Sequence, residues 1–276
     1  MSRKEFSRES LLPGQVLPNG LVLERLLARG GLSNVWLASN KGYRLVVKTF
    51  RRDPEWTEDQ SQRCYDYFVR EARYLQSLAH PRIVKGLGTV SLIGEVGILL
   101  EYLPGVNLRR WMDTHAQPRT LEQFRQIAIS IAEGLKFVHA SGLIHRDIAP
   151  RNLMINGNLV ATLIDFQFAC PHPSDLARQD FEAGKPMTCG LGHWAYTAPE
   201  IMDGFDTVYD YRVDIYSLGA VLIELLVGRP PRRRPPQEWR PDVPPRLAEC
   251  LWAMVDELPA NRPSWQEIEQ VLDSIR

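Results

Sequence analysis

Apolar residues come in short β-branched and aromatic runs through the first hundred positions, and mostly at helical intervals of three or four after that. Strands are therefore predicted first and helices afterwards. Residues 21–27 and 35–38 flank the Gly30–Gly31 pair, and 43–50 (YRLVVKTF) is rich in β-branched and aromatic side chains. This predicts three successive strands of a small antiparallel sheet. Phe68, Ala72, Leu75 and Ala79 recur at helical spacing until His80-Pro81 stops the pattern, which predicts one amphipathic helix over 64–79. Residues 96–102 form another apolar strand, and Pro104-Gly105 then breaks the chain at a candidate hinge. Further on, Thr120 and Gln123 form a capping signature ahead of Ile127, Ile131 and Leu135, and Gly142 suits the stop of that long helix. Residues 211–227 are apolar almost all round, which predicts a buried central helix, and Ser264 with Glu267 caps a short final one. No internal repeat is visible, and 228–245 (GRPPRRRPPQEWRPDVPP) holds too many prolines for regular helix.

Composition narrows the function classes. The chain has 276 residues, 44% hydrophobic and 24% charged, enough for one large domain or two lobes at ~150 residues per domain. Lys plus Arg and Asp plus Glu both number 33, so no global field draws in nucleic acid or an anionic membrane, and neither is expected as a partner. The first ten residues are charged and no run reaches the ~18 apolar residues of a membrane span, so a soluble cytoplasmic protein is the expectation. Cys64, Cys170, Cys189 and Cys250 stand apart with no CxxC pair, which argues for free thiols over a zinc site or a disulfide framework.

Candidate chemistry lies in three places. Between two predicted strands, ARGGLSNV (28–35) is either a plain hairpin or a glycine turn whose backbone N–H groups can approach phosphate oxygens. Lys48 at the end of LVVK, with Glu71 on the following helix, would grip phosphate if the two were paired; each alone reads as a surface charge. Asp147 and Asn152 lie five apart in a loop after a helix, and Asp165 follows the apolar strand ATLI. One acid can orient an acceptor hydroxyl, while an amide and a second acid are hard oxygen ligands for magnesium. Singly these are turn formers; together they point to phosphoryl chemistry.

Taken in order, ARGGLSNV, VVK, REA, HPRIV, LLEYL, HRDIAPRN, DFQ, YTAPE and VDIYSLG resemble the eukaryotic-like (Hanks-type) protein kinase superfamily over about residues 20–276. The wording GGLSNVWLA is most similar to the bacterial serine/threonine branch. The resemblance implies a two-lobed α+β fold. An N-terminal extension (1–19) would precede an N-lobe (20–103), a small antiparallel sheet with one key helix, and a larger, mainly helical C-lobe (104–276). It also implies an ATP- and Mg2+-dependent kinase acting on a protein substrate. Lys48 would hold the α- and β-phosphates and pair with Glu71, Asp147 would orient the acceptor hydroxyl, and Asn152 and Asp165 would bind magnesium. Ala28, Gly30, Gly31 and Ser33 would cover the phosphates. Glu101 and Leu103 would meet the adenine edge behind Leu100, with Val35, Val46 and Met154 enclosing the base. Ser174 or Thr188 would carry an ordering phosphate, Glu200 and Arg262 a buried ion pair, and Asp214 would brace the HRD backbone.

Several positions depart from that pattern. Ala28 and Ser33 replace two loop glycines, Gln167 replaces the glycine of DFG, and His193 replaces a threonine or serine. Ala149 stands where serine/threonine members have lysine, and Arg151 offers replacement charge, as in tyrosine kinases. Pro150 and the GGLSNV loop resemble the serine/threonine branch, so serine or threonine is the expected acceptor and tyrosine the alternative. A pseudokinase scaffold and a small-molecule phosphotransferase of the aminoglycoside or choline type are the other readings. Arg229, Arg232, Arg233 and Arg234 form either a solvated loop or a strip that docks an acidic partner.

Overall fold

The computed structural model describes residues 11–17, 20–92, 95–115, 120–172, 194–202, 210–231 and 239–275. The chain forms two compact units, one of Met1–Gln76 with Gly86–Tyr102 and one of Ser77–Lys85 with Leu103–Arg276. Ser174, Thr188, His193 and Arg232, Arg233 and Arg234 lie outside the described residues.

The first unit is an antiparallel five-stranded sheet in the order β1-β2-β3-β5-β4 with one long helix. Its strands are β1 (Val22–Arg29), β2 (Ser33–Asn40), β3 (Tyr43–Phe50), β4 (Gly86–Leu92) and β5 (Glu95–Glu101), and its helix is α1 (Glu58–Ser77). The register sorts side chains between two faces, since directly opposed residues share a face and neighbours alternate. Trp36 opposes Val47, which opposes Leu99; with Leu17, Leu21, Leu23, Ala38 and Val90 they build the apolar core of one face. On the other face Val35 opposes Lys48, which opposes Ile98, and Leu37 opposes Val46, which opposes Leu100.

Helix α1 begins six residues earlier than the apolar spacing predicts. Its first turns are polar, with Glu58 and Asp59 favouring the positive helix end, and burial starts only at Ser61, Cys64 and Phe68. Phe50 fixes it to the sheet by edge contacts with Tyr65 and Phe68, ring centroids 5.3 and 5.9 Å apart. Strand β4 was not predicted from the sequence. It begins at Gly86, where a Cβ would come within 2.7 Å of the Leu75 carbonyl oxygen, so glycine is what lets strand and helix approach.

The second unit is mainly helical. α2 (Leu108–His115) precedes α3 (Leu121–Ala140), whose N-cap Thr120 accepts the Gln123 N–H as the capping signature predicts. Short strands β6 (Val106–Asn107), β8 (Leu153–Ile155) and β9 (Ala161–Leu163) form one sheet, and β7 (Leu143–Ile144) pairs with β10 (Cys170–Pro171). Residues 77–85 are sewn to β9: Ile83 bridges Leu163, the Leu163 N–H donates to the Arg82 carbonyl, and the Val84 N–H donates to the Leu163 carbonyl. The central helix Arg212–Val227 is buried on every side except Arg212, Tyr216 and Val227, as its apolar sequence predicts. Ser264 and Glu267 close a reciprocal capping box on the last helix, Trp265–Asp273. No helix among the described residues is long and apolar enough to cross a membrane.

Candidate active site

In the first unit Lys48 and Glu71 meet. The Lys48 ammonium lies 2.9 and 2.8 Å from the two Glu71 carboxylate oxygens, and the side chains are only 4% and 0% exposed. Neither is the surface charge that it would be in isolation. Burying a lone ion costs several kcal/mol, so each requires the other, and β3 and α1 are thereby fixed in register. The turn joining β1 and β2 is a hairpin closed by the Gly30 N–H donating to the Ser33 carbonyl (2.7 Å) and held by the Arg51 guanidinium on the Gly30 carbonyl (2.9 Å). Ala28 and Gly30 are exposed, Ser33 is buried, and Gly31 is between the two. Val35, Val46 and Leu100 share the Lys48 face, with Val35 and Val46 partly open and Leu100 closed off. Ile98 and Leu37 extend that face and were not singled out in the sequence, because cross-strand register is invisible there. Glu101 and Leu103 are partly exposed at the end of β5 and just beyond it.

In the second unit β7 leads directly into His145, Arg146 and Asp147. Arg146 has φ of 66°, a left-handed conformation that costs a non-glycine residue roughly 1–2 kcal/mol. Asp214 on the central helix offsets this by accepting the His145 N–H on Oδ2 and the Arg146 N–H on Oδ1, each at 2.7 Å. Burial pushes the Asp214 carboxyl up, but the His139 hydrogen bond and the nearby imidazoles bring it net below the ordinary carboxylate range. For the fully buried His145, burial wins and holds the imidazole below its ordinary value despite Asp214, Asp147 and Asp165.

Asn152 ends a single 3-10 turn (Pro150–Asn152) and donates its side-chain N–H to the Asp147 carbonyl (2.9 Å) and carboxylate (2.8 Å). Its backbone carbonyl accepts the Ile164 N–H, which joins this loop to the segment bearing Asp165. Asp165 in turn accepts the Gln167 N–H at 3.2 Å, and Phe166 is fully buried against the His145 ring, 4.7 Å between centroids. The Arg146 guanidinium donates to the Phe168 carbonyl at 2.5 Å. Arg151 is exposed and Ala149 only 1% exposed, while Met154 is half-buried on β8 opposite Asn107 and Thr162. Arg262 meets Glu200 in a two-pronged pair at 2.5 and 2.8 Å, both residues buried.

Two clusters escaped the sequence reading. Glu224, buried on the central helix, takes the Arg109 guanidinium (2.6 Å) and the Tyr196 hydroxyl (2.5 Å); burial and Glu224 keep that phenol protonated far above its ordinary range. His139 links Asp214 to Trp265. A carboxylate inside an otherwise apolar helix was the available signal for Glu224. His139 and Trp265 gave none, since an isolated histidine or tryptophan reads as core.

The first unit holds a buried cation on its sheet; the second, by itself, holds a carboxylate bound by an amide and a further carboxylate tied to the same loop. They suit the handling of anionic oxygens and of a hydroxyl proton. The family model described as protein kinase domain matches residues 21–271. This chain belongs to the protein kinase domain family. The kinase domain is 34% identical to serine/threonine-protein kinase PknB of Mycobacterium tuberculosis over 76% of its own length and 32% of that relative's. It is 31% identical to PknB of Mycolicibacterium smegmatis (90% and 41%) and 26% identical to serine/threonine-protein kinase STY46 of Arabidopsis thaliana (90% and 43%). The chain spans between 16% and 43% of the lengths of curated relatives that it matches.

Proposed function

We propose that this kinase domain transfers the γ-phosphate of ATP to serine or threonine hydroxyls of protein substrates, its own chain included. The observation that carries this reading is that both working sets are built in full: the buried Lys48–Glu71 pair and the Asp147–Asn152 loop braced by Asp214. A scaffold without catalysis has no chemical need to bury a lysine on a carboxylate, or to hold a loop residue at positive φ beside an acid.

Lys48 binds the α- and β-phosphates, and the turn at Ala28, Gly30, Gly31 and Ser33 covers them. In the first unit Val35, Val46 and Leu100 offer the base an apolar face and the Glu101 backbone meets its edge; in the second, Leu103 and Met154 are the residues that the family resemblance assigns to its recognition. Asp147 orients the acceptor hydroxyl and takes its proton, and Arg151 stabilises the charge that develops on the transferring group. Asn152, whose side-chain N–H donates to Asp147, and Asp165 would hold Mg2+, which supplies charge neutralisation when bound. Two protein ligands suit magnesium, which keeps several waters and shares phosphate oxygens; among the described residues no cluster of three or more His, Cys, Asp or Glu side chains competes for a different metal. Serine or threonine is favoured by the names of the relatives, tyrosine by Ala149 with Arg151. Arg229, exposed beyond the central helix, belongs to the strip offered to an acidic partner, and a cytoplasmic location fits this function.

Incubation with labelled ATP, Mg2+ and a generic protein substrate tests the proposal. Transfer is expected from the wild type and its loss from both Lys48→Met and Asp165→Ala, with secondary structure retained by circular dichroism, although Lys48→Met, which leaves Glu71 buried without its partner, should unfold at lower urea. Full activity in Asp165→Ala would remove the metal assignment, and phosphotyrosine alone in acid hydrolysates would overturn the acceptor.

A further inference from the structure

We propose that Trp265 is a positioning residue for the catalytic loop, acting by fixing His139 Nδ1 as an acceptor so that the ring donates from Nε2 to Asp214. The claim rests on the kinase reading above only for its effect on turnover; the geometry stands by itself. Near the end of α3 the His139 side chain is 7% exposed. Its Nδ1 faces the Trp265 indole nitrogen at 3.0 Å, and its Nε2 faces Asp214 Oδ2 at 2.8 Å. An indole N–H can only donate. Nδ1 must therefore be the acceptor, the ring hydrogen must lie on Nε2, and it is donated to Asp214. Protonation of Nδ1 would bring two N–H groups face to face.

The consequence runs through Asp214. Its Oδ2 accepts both His139 Nε2–H and the His145 N–H, and its Oδ1 accepts the Arg146 N–H, the residue held at φ of 66° immediately before Asp147. A neutral donor can share Oδ2 with the loop backbone. An imidazolium would form a charge-assisted bond roughly twice as strong and compete for that oxygen, loosening the support beneath Arg146. Trp265 removes this competition by occupying the only other site of protonation. The groups facing the ring are Asp214 from the central helix, Trp265 from the last helix and the Tyr211 ring at 5.2 Å, with His145 acting on Asp214 from the loop. Asp214 is the only anion among them and the indole is the group that faces Nδ1, so the two partners fix which ring nitrogen accepts and which donates.

The test combines a ring-nitrogen NMR spectrum with kinetics. In the wild type at pH 7, His139 is expected to show the neutral Nε2–H signature. In Trp265→Phe, which keeps an aromatic ring but lacks the donor, the ring hydrogen should no longer be confined to Nε2 and a proton on Nδ1 should appear. The kcat should fall about fivefold, the scale of one lost hydrogen bond, while KM for ATP stays unchanged. In a His139→Gln background, Trp265→Phe should have no further effect on kcat. An Nδ1–H tautomer or an imidazolium in the wild type at pH 7 overturns the proposal, whether or not the variants fold. An equal loss of kcat from Trp265→Phe in both backgrounds overturns it too, by making the tryptophan a packing residue. Absence of transfer by the wild type would defeat the kinase reading, and the ring spectrum would still decide this one.

Discussion

Asp214 shows how much one side chain can carry. It lies fully buried among apolar neighbours, yet stays ionised because its hydrogen-bond donors exceed the cost of burial. A carboxyl whose folded pKa lies below its unfolded value of about 3.9 stabilises the fold at neutral pH, and that contribution is lost as pH falls below about 4. Urea unfolding of wild type and Asp214→Asn should therefore differ most at pH 7 and converge as the pH is lowered towards 3; a constant gap would show that the loss comes from shape and not charge. Arg151 belongs to the same loop and is exposed, and its proposed role is to stabilise charge on the transferring group. Arg151→Ala should raise the barrier to transfer by roughly 2–4 kcal/mol, the scale of one transition-state contact removed, with KM for ATP little changed. Ala149→Lys should cost far less, provided the lysine stem can lead its charge out of a position that is 1% exposed.

Between elements, packing sets the tolerances. Gly219 on the central helix faces the helix Pro245–Met254, and an added Cβ would lie 2.6 Å from the Met254 Cβ and 3.1 Å from Val255 Cγ1. Alanine is the better helix former by roughly 1 kcal/mol, but overpacking costs about 1–3 kcal/mol, so Gly219→Ala should lower the unfolding midpoint. The turn after β9 is governed by Gln167. Its side chain is 5% exposed, and its Cβ disfavours the positive φ through which Asp165 and Phe166 could exchange places. Compounds that need Phe166 displaced should bind Gln167→Gly about fivefold more tightly than wild type, a difference that calorimetry resolves. These elements were unequally legible in the sequence. The central helix and β3 announced themselves because burial on several sides leaves long apolar runs. β4 did not, since GLGTVSL alternates in burial but not in apolar character, with Leu87 exposed and glycines at two of the inward positions, and α2 is too short for a period to register. Among the candidate site residues, motif order named Lys48, Glu71, Asp147, Asn152 and Asp165. The partners that hold the loop from a distance, His139 and Trp265, depend on contacts 75 and 126 residues apart in sequence and leave no local trace.

Over the whole molecule, ion pairs tie remote segments together. The Arg262 guanidinium spans Glu200, the Asp256 carbonyl and the Arg212 carbonyl, so one side chain joins the segment before the central helix to the one before the last helix. Removing one partner of a buried pair leaves an uncompensated charge, and Glu200→Ala should cost about 3–5 kcal/mol. Urea titration should show a lower midpoint with an unchanged slope; a changed slope would mean that the second unit no longer unfolds as one body.

The thread from residues 77–85 to β9 also bears on how the chain is made. Ile83, Arg82 and Val84 leave the ribosome about 80 residues before Leu163, the residue that receives them. At roughly 5–20 residues per second that is a wait of about 4–16 s. Once β5 ends at Glu101 the strands on either side are available to form the first sheet, and for the rest of that interval the segment between them must bridge two neighbours of one finished unit while its own partner is still being translated. A slow codon stretch placed between positions 103 and 163 should lengthen the period in which a protease can cut at 77–85, and one placed after 163 should not.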